Sequence, residues 1–281
     1  MDGTRFAIGT LSVFPVRVTR VDREVAGRAM VLAPALGLVL GLVSCLPLLL
    51  PGPPLLGAGL AVGLLAVLTR GLHLDGLADL ADGLGSGKPA PQALDIMKKS
   101  DIGPFGVMTL VLVLVVQVAA LSGLGPPALV TACVTGRLAL TWACRSAVPA
   151  ARPDGLGALV AGTVRPGAAW AATATALAAA AALGSAADHG LGLMGLGSTA
   201  SHGLGLVTGD GLGSVASHGL GSVAGHRMVY VLPLGVVAGL GAALLLLRHA
   251  RRRLGGVTGD VLGALVETAT AATLTVCALF G

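Results

Sequence analysis

Seven apolar runs divide the chain, at roughly 31 to 50, 54 to 69, 106 to 124, 128 to 148, 167 to 187, 228 to 247 and 260 to 280. A helix crossing the hydrocarbon core of a bilayer needs about 20 mostly apolar residues, and in lipid only helices and closed barrels satisfy their own backbone groups. The runs therefore predict an all-α integral membrane protein, a polytopic bundle of about seven transmembrane helices embedded in the lipid bilayer. The second run is short. It is either extended by the segment that follows it or enters the membrane only part of the way.

Charge sets the orientation. Of the 18 Lys and Arg residues, sixteen fall in segments on one side of the membrane if the N-terminus is cytoplasmic, Arg137 lies inside the fourth run, and Arg227 falls on the far side. Lys and Arg are retained in cytoplasmic loops, so the pattern predicts a cytoplasmic N-terminus, an external C-terminus and a plasma-membrane location. The net charge of +5 is explained by that retention and does not call for nucleic acid as a partner. Cys45, Cys133, Cys144 and Cys277 all lie in apolar runs without CxxC spacing, which indicates core residues rather than a zinc site or a disulfide framework.

The chain reads as one membrane-embedded domain, residues 1–281, with one interruption. From 185 to 226 the sequence repeats DHGLG, SHGLG and SHGLG and is rich in Gly and Ser, the composition of a flexible loop. The topology makes it external. Its histidines make weak metal binding conceivable, but a bland expansion of low-complexity sequence is the favoured account of them.

Against this background the stretch RGLHLDGLADLADG, residues 70 to 83, is anomalous, because it concentrates three acids in a chain that is only 11% charged. On a helix of about 3.6 residues per turn, Asp75, Asp79 and Asp82 share one face. Carboxylates so close repel unless a cation joins them, and Mg²⁺ is held by one or two carboxylates together with substrate phosphate. The competing reading is a solvated helix face. His73 lies about 160° round the helix from Asp75, which leaves it a structural residue, a general base or a ligand brought round by a turn. Downstream, Lys98 and Lys99 suit phosphate charge, Asp101 adds an acid, and Gly103, Pro104 and Gly106 make a sharp entry to the next run. At 255 to 260, GGVTGD places Gly259 and Asp260 at the start of the last run. A helix N-terminus there offers free N–H groups to an anion, and Asp260 fits equally as an N-cap. Glu267, deeper in the same run, is an intramembrane ionisable residue of the kind that is functional by default.

Four blocks taken in order, RGLHLDGLADLADGLGSG, IMKKSDIGPFGV, GRLALTWACRSAVPAARPDGLG and RRRLGGVTGDVLGAL, resemble the cobalamin synthase family, the adenosylcobinamide-GDP ribazoletransferases. The likeness runs from TLSVFPV to the last apolar run, interrupted chiefly by the 185 to 226 tract. The resemblance implies a Mg²⁺-dependent membrane transferase that joins adenosylcobinamide-GDP to α-ribazole, or its 5′-phosphate, and releases GMP at the cytoplasmic face. It implies that Asp75, Asp79 and Asp82 hold the metal, that Lys98 offsets charge, and that His73 or one of the aspartates takes the hydroxyl proton. It also implies substrate contacts from Lys99, Asp101, Gly259 and Asp260. A CDP-alcohol phosphotransferase is disfavoured because Ala78 is followed by Asp79 rather than Arg. A cation-coupled transporter would place its acids near the midplane of broken helices.

Overall fold

The computed structural model describes residues 2–190 and 227–281. Eleven helices are found there: α1 (Asp2–Leu11), α2 (Arg23–Ser44), α3 (Pro54–Leu68), α4 (Leu72–Gly85), α5 (Ala90–Ile96), α6 (Pro104–Ser122), α7 (Pro126–Ala143), α8 (Gly155–Val160), α9 (Pro166–Asp188), α10 (Met228–Leu254) and α11 (Gly259–Phe280). No strand occurs among the described residues, only two isolated bridges.

The all-α membrane class follows from these elements. Five helices are long and apolar enough to cross a membrane, or six if α3 and α4 count together as one bent span. The predicted count of about seven is therefore not reached by length and composition alone. The fourth run forms α7, which falls outside that set. It carries Arg137, 1% exposed, and packs against α2, α9, α10 and α11, so its neighbours rather than lipid set what it can carry.

The second run is as short as its length predicts. It forms α3, only 15 residues long, which stops where Arg70 and Gly71 take left-handed φ values of 55° and 67°. Gly71 N–H returns to Ala66 O at 2.8 Å, the kind of left-handed terminus that ends helices. The chain then turns by 89° into α4. The acidic segment is thus a separate helix.

α4 runs antiparallel to α11, with Gly76 against Asp260 and His73 against Gly263. A Cβ on Gly76 would stand 2.8 Å from the Asp260 carbonyl oxygen, so this contact requires glycine. From Gly263 the helix passes the N-terminus of α11 and then that of α6, which places its acidic end at the rim of the bundle, outside the spanning segments. The same rim carries the C-terminal ends of α7 and α10 and the N-terminal end of α9. Beyond it, residues 144–165 form an excursion tied down by Ala151 N–H to Val257 O and Val257 N–H to Pro149 O, both 3.0 Å.

The 185 to 226 tract begins later than predicted, since α9 continues through Asp188. Asp188 accepts hydrogen bonds from Met228 N–H and Val229 N–H, at 3.1 and 3.0 Å, and so ties the end of α9 to the start of α10. Residues 191–226 of the tract lie outside the described residues. All four cysteines are buried, as their apolar settings predict.

Candidate active site at the bundle rim

A cavity of about 310 Å³ opens where α4, α11 and the 144–165 excursion meet. Of the residues predicted from sequence, it is lined by His73, Asp75, Lys98, Gly259 and Asp260. Asp75 and Lys98 are exposed, Asp260 is half-buried, and His73 is 2% exposed. These five come from three stretches of the chain. The antiparallel contact of α4 with α11 brings His73 and Asp75 to Asp260, and the turn after α5 delivers Lys98.

Asp79 sits one turn from Asp75 and is half-buried. Burial first, and then the charges of Asp75, Asp260 and Asp82, push its carboxyl up to about 6, with Arg152 opposing. Such crowding of acids is relieved by a cation. Asp260 is electrostatically coupled to both Asp75 and Asp79, so the acidic cluster includes a residue of α11 that the helical face of α4 could not reveal.

The structure gives Asp82 a different role from the predicted one. Its Oδ2 accepts from Gly103 N–H at 2.7 Å and its Oδ1 accepts from Gly106 N–H at 2.9 Å. Asp82 thereby caps α6, whose own N-cap position, Gly103, has no side chain to do so. A Cβ on either Gly103 or Gly106 would overlap the carboxylate. The three aspartates therefore share a helical face, as 3.6-residue geometry requires, without pointing to one place. Among the described residues no group of three or more His, Cys, Asp or Glu side chains forms a ready-made metal cage. Mg²⁺ does not need one, because a pair of carboxylates with substrate phosphates suffices. Asp75 and Asp79, with Asp260 beside them, fit that donor set.

Lys99 and Asp101 are exposed and do not line the cavity. The turn that presents Lys98 to the cavity places these two neighbours outside its lining. At the start of α11 the N-cap is Thr258, whose hydroxyl accepts from Val261 N–H at 3.2 Å and donates to Asp260 at 3.1 Å. Asp260 is thus free of capping and stands in the first turn. Glu267 does not line the cavity either. It accepts from the Gln117 amide at 2.8 Å and so joins α11 to α6 inside the bundle.

His73 is buried where α4 packs against Gly263 of α11. Neither ring nitrogen has a hydrogen-bond partner.

Sequence reasoning missed Arg152 as a site residue and counted it only as a retained cation. It lines the cavity, stands 3.7 Å from Asp260 and donates to Leu94 O at 2.5 Å. Asp154 and Gly155 follow it round the rim. Its signal was the ARPDGLG sequence in the third block of the resemblance. Only the bonds between 149–151 and 257 show that this loop abuts VTGD.

A family model described as cobalamin-5-phosphate synthase matches residues 3–223 and 216–278. Three similar relatives carry the name adenosylcobinamide-GDP ribazoletransferase. The protein of Frankia casuarinae is 42% identical over 98% of this chain and 94% of its own length. That of a Nocardioides species is 40% identical over 97% and 96%, and that of Bradyrhizobium diazoefficiens is 33% identical over 98% and 93%. No solved structure matches the chain.

Proposed function

The chain belongs to the cobalamin-5-phosphate synthase family, and from that membership we propose that it transfers the adenosylcobinamide phosphate moiety of adenosylcobinamide-GDP to α-ribazole, or its 5′-phosphate, releasing GMP. The observation that carries the proposal is one cavity mouth that gathers the carboxylates of Asp75 and Asp260 with the cations of Lys98 and Arg152. That combination suits a diphosphate and the cation accompanying it.

Asp75 and Asp79, with Asp260, would hold Mg²⁺. When bound, the ion neutralises diphosphate charge and favours departure of the nucleotide. The protein's own groups do the rest. Lys98 and the Arg152 guanidinium face the phosphates and offset charge that develops on them. A ribose hydroxyl oxygen of the acceptor, one that its 5′-phosphate form leaves free, forms a bond to the phosphorus carried by the cobinamide arm, the bond from that phosphorus to the bridging oxygen breaks, and GMP leaves with that oxygen. A carboxylate of the acidic cluster that is not engaged by the metal takes the hydroxyl proton. The basic residues at this end of the bundle, including Lys88, Lys98, Arg145, Arg152 and Arg251 to Arg253, support a site facing the cytoplasm from the plasma membrane.

Purified protein in detergent or nanodiscs, given adenosylcobinamide-GDP and α-ribazole, is expected to release GMP only with Mg²⁺ present. Asp75→Ala and Asp79→Ala should each abolish release. Metal-independent release, or full activity in both variants, would overturn the proposal.

A further inference from the structure

Three helix ends meet at the rim away from the cavity. α7 stops at Ala143, α9 starts at Pro166 and α10 stops at Leu254, and these helices pack against one another. Just past α7, the Arg145 guanidinium lies over the Trp142 ring, 4.2 Å from its centroid, and its Nε donates to Trp142 O at 3.1 Å. Trp142 is buried, and its indole N–H donates to the Thr173 hydroxyl at 2.8 Å. It meets Trp170 edge to face, with ring centroids 4.9 Å apart. Trp170, one turn into α9, is 63% exposed.

The charge beside this stack is all of one sign. Arg251, in the last turn of α10, donates through Nη2 to Ala147 O at 3.1 Å. After burial, its like charge is what weakens the hold of Arg145 on its proton. No carboxylate answers either residue, since among the described residues the ion pairs engage only Arg20, Arg28 and Arg152. The chain brings in a third cation, because Val164 N–H donates to Cys144 O at 2.9 Å and the exposed Arg165 follows. Both Nη groups of Arg145 and Nη1 of Arg251 make no hydrogen bond to the described residues. Stacking on Trp142 and the Nε bond hold the Arg145 fork in one place, and paired guanidinium forks suit a phosphate. None of Arg145, Arg165, Trp170 and Arg251 lines the cavity of the acidic cluster, so a diphosphate bound there leaves this charge unanswered. An exposed indole one turn into a spanning helix belongs at the boundary of headgroups and hydrocarbon. The patch therefore calls for a ligand that joins an anion to an apolar body.

We propose that Arg145 and Arg251, with Arg165 at the edge, bind the phosphate of an anionic phospholipid from the leaflet at this rim, whose glycerol and upper acyl chain lie against Trp170. A free phosphate would satisfy the arginines and leave the indole without a partner. A zwitterionic headgroup would carry its own ammonium into the same positive field. The site is separate from the cavity and does not depend on the transferase reading.

Tryptophan fluorescence tests it, because Trp142 and Trp170 are the only two tryptophans in the chain. The full-length protein is placed in nanodiscs of phosphatidylcholine and phosphatidylglycerol at one fixed ratio, with bromine on the acyl chains of one lipid or the other. In the wild type, brominated phosphatidylglycerol should quench several-fold more per molecule than brominated phosphatidylcholine. Arg251→Gln, a residue in contact with neither indole, should cut that preference roughly fivefold. Arg17→Gln, which removes an exposed arginine of the N-terminal segment, should leave it unchanged. Inorganic phosphate at constant ionic strength should not abolish it. Equal quenching by the two lipids in the wild type would overturn the proposal, and that measurement stands even if a variant fails to fold. An equal loss in Arg17→Gln would overturn it in favour of general attraction between a basic face and the membrane, and displacement by inorganic phosphate in favour of a free anion.

Discussion

Replacing Asp82 separates a metal ligand from a structural cap. The carboxylate is 8% exposed and accepts from two backbone N–H groups, those of Gly103 and Gly106, at 2.7 and 2.9 Å. Hydrogen bonds to a charged group contribute about 1.5–3 kcal/mol each, and loss of an N-cap alone costs about 0.5–2 kcal/mol. These overlap, because the two bonds are the cap. Asp82→Ala should therefore cost on the order of 3–5 kcal/mol, a large part of the roughly 5–15 kcal/mol typical of a folded domain. Asp82→Asn should cost less but still lose the charge and turn an amide N–H₂ toward one of the two donors. Thermal unfolding in nanodiscs should show a midpoint lower by on the order of 10 °C for the alanine variant and an intermediate shift for the asparagine variant. The Mg²⁺ concentration giving half-maximal GMP release by Asp82→Asn should match the wild type, because the metal is assigned to other carboxylates. An unchanged midpoint together with a several-fold higher Mg²⁺ requirement would refute the reasoning and return Asp82 to the metal.

Other outcomes follow from the same geometry. Arg152→Ala should lower kcat/KM by about 10²–10³, the usual effect of removing a group that stabilises developing charge. Arg152→Lys should recover only part of it, since a lysine lacks the fork that reaches both Asp260 and Leu94 O. Gly76→Ala should push α4 from α11, costing about 1–3 kcal/mol as overpacking does and lowering GMP release by more than the stability loss explains; normal activity would show that the two helices need not touch. For Asp79 the sign is set by a carboxyl raised from 3.8 to about 6, so the folded state holds its proton more tightly than the unfolded chain. In chelator-treated protein, stability should rise as the pH falls from about 6 toward 4. Asp79→Asn should raise the midpoint at neutral pH and lose that advantage near pH 4; an advantage independent of pH would contradict the charge-crowding account.

The membrane class was legible because a span is a local property, a matter of run length and of backbone groups that must pair within their own segment. The acidic helix was legible for the same reason, since its three aspartates share a face by helical period alone. Run length also showed that the second run is short, but not that the chain bends by 89° into the acidic helix, because the bend depends on two consecutive left-handed residues, Arg70 and Gly71. Hydropathy also could not distinguish a lipid-facing helix from α7, which is enclosed by its neighbours and so tolerates Arg137.

What only the tertiary structure decided was which groups meet. Asp82 leaves its neighbours for backbone donors 21 and 24 residues away, while Asp260 joins Asp75 and Asp79 because glycine lets α4 lie against α11. Arg152 reaches the site only because the 144–165 excursion is bonded to Val257. His73, ambiguous on a helical wheel, is buried where its backbone lies against Gly263 of α11. Local periodicity fixes the face a side chain occupies, but its partner, and hence its chemistry, depends on contacts distant in sequence that no local pattern encodes.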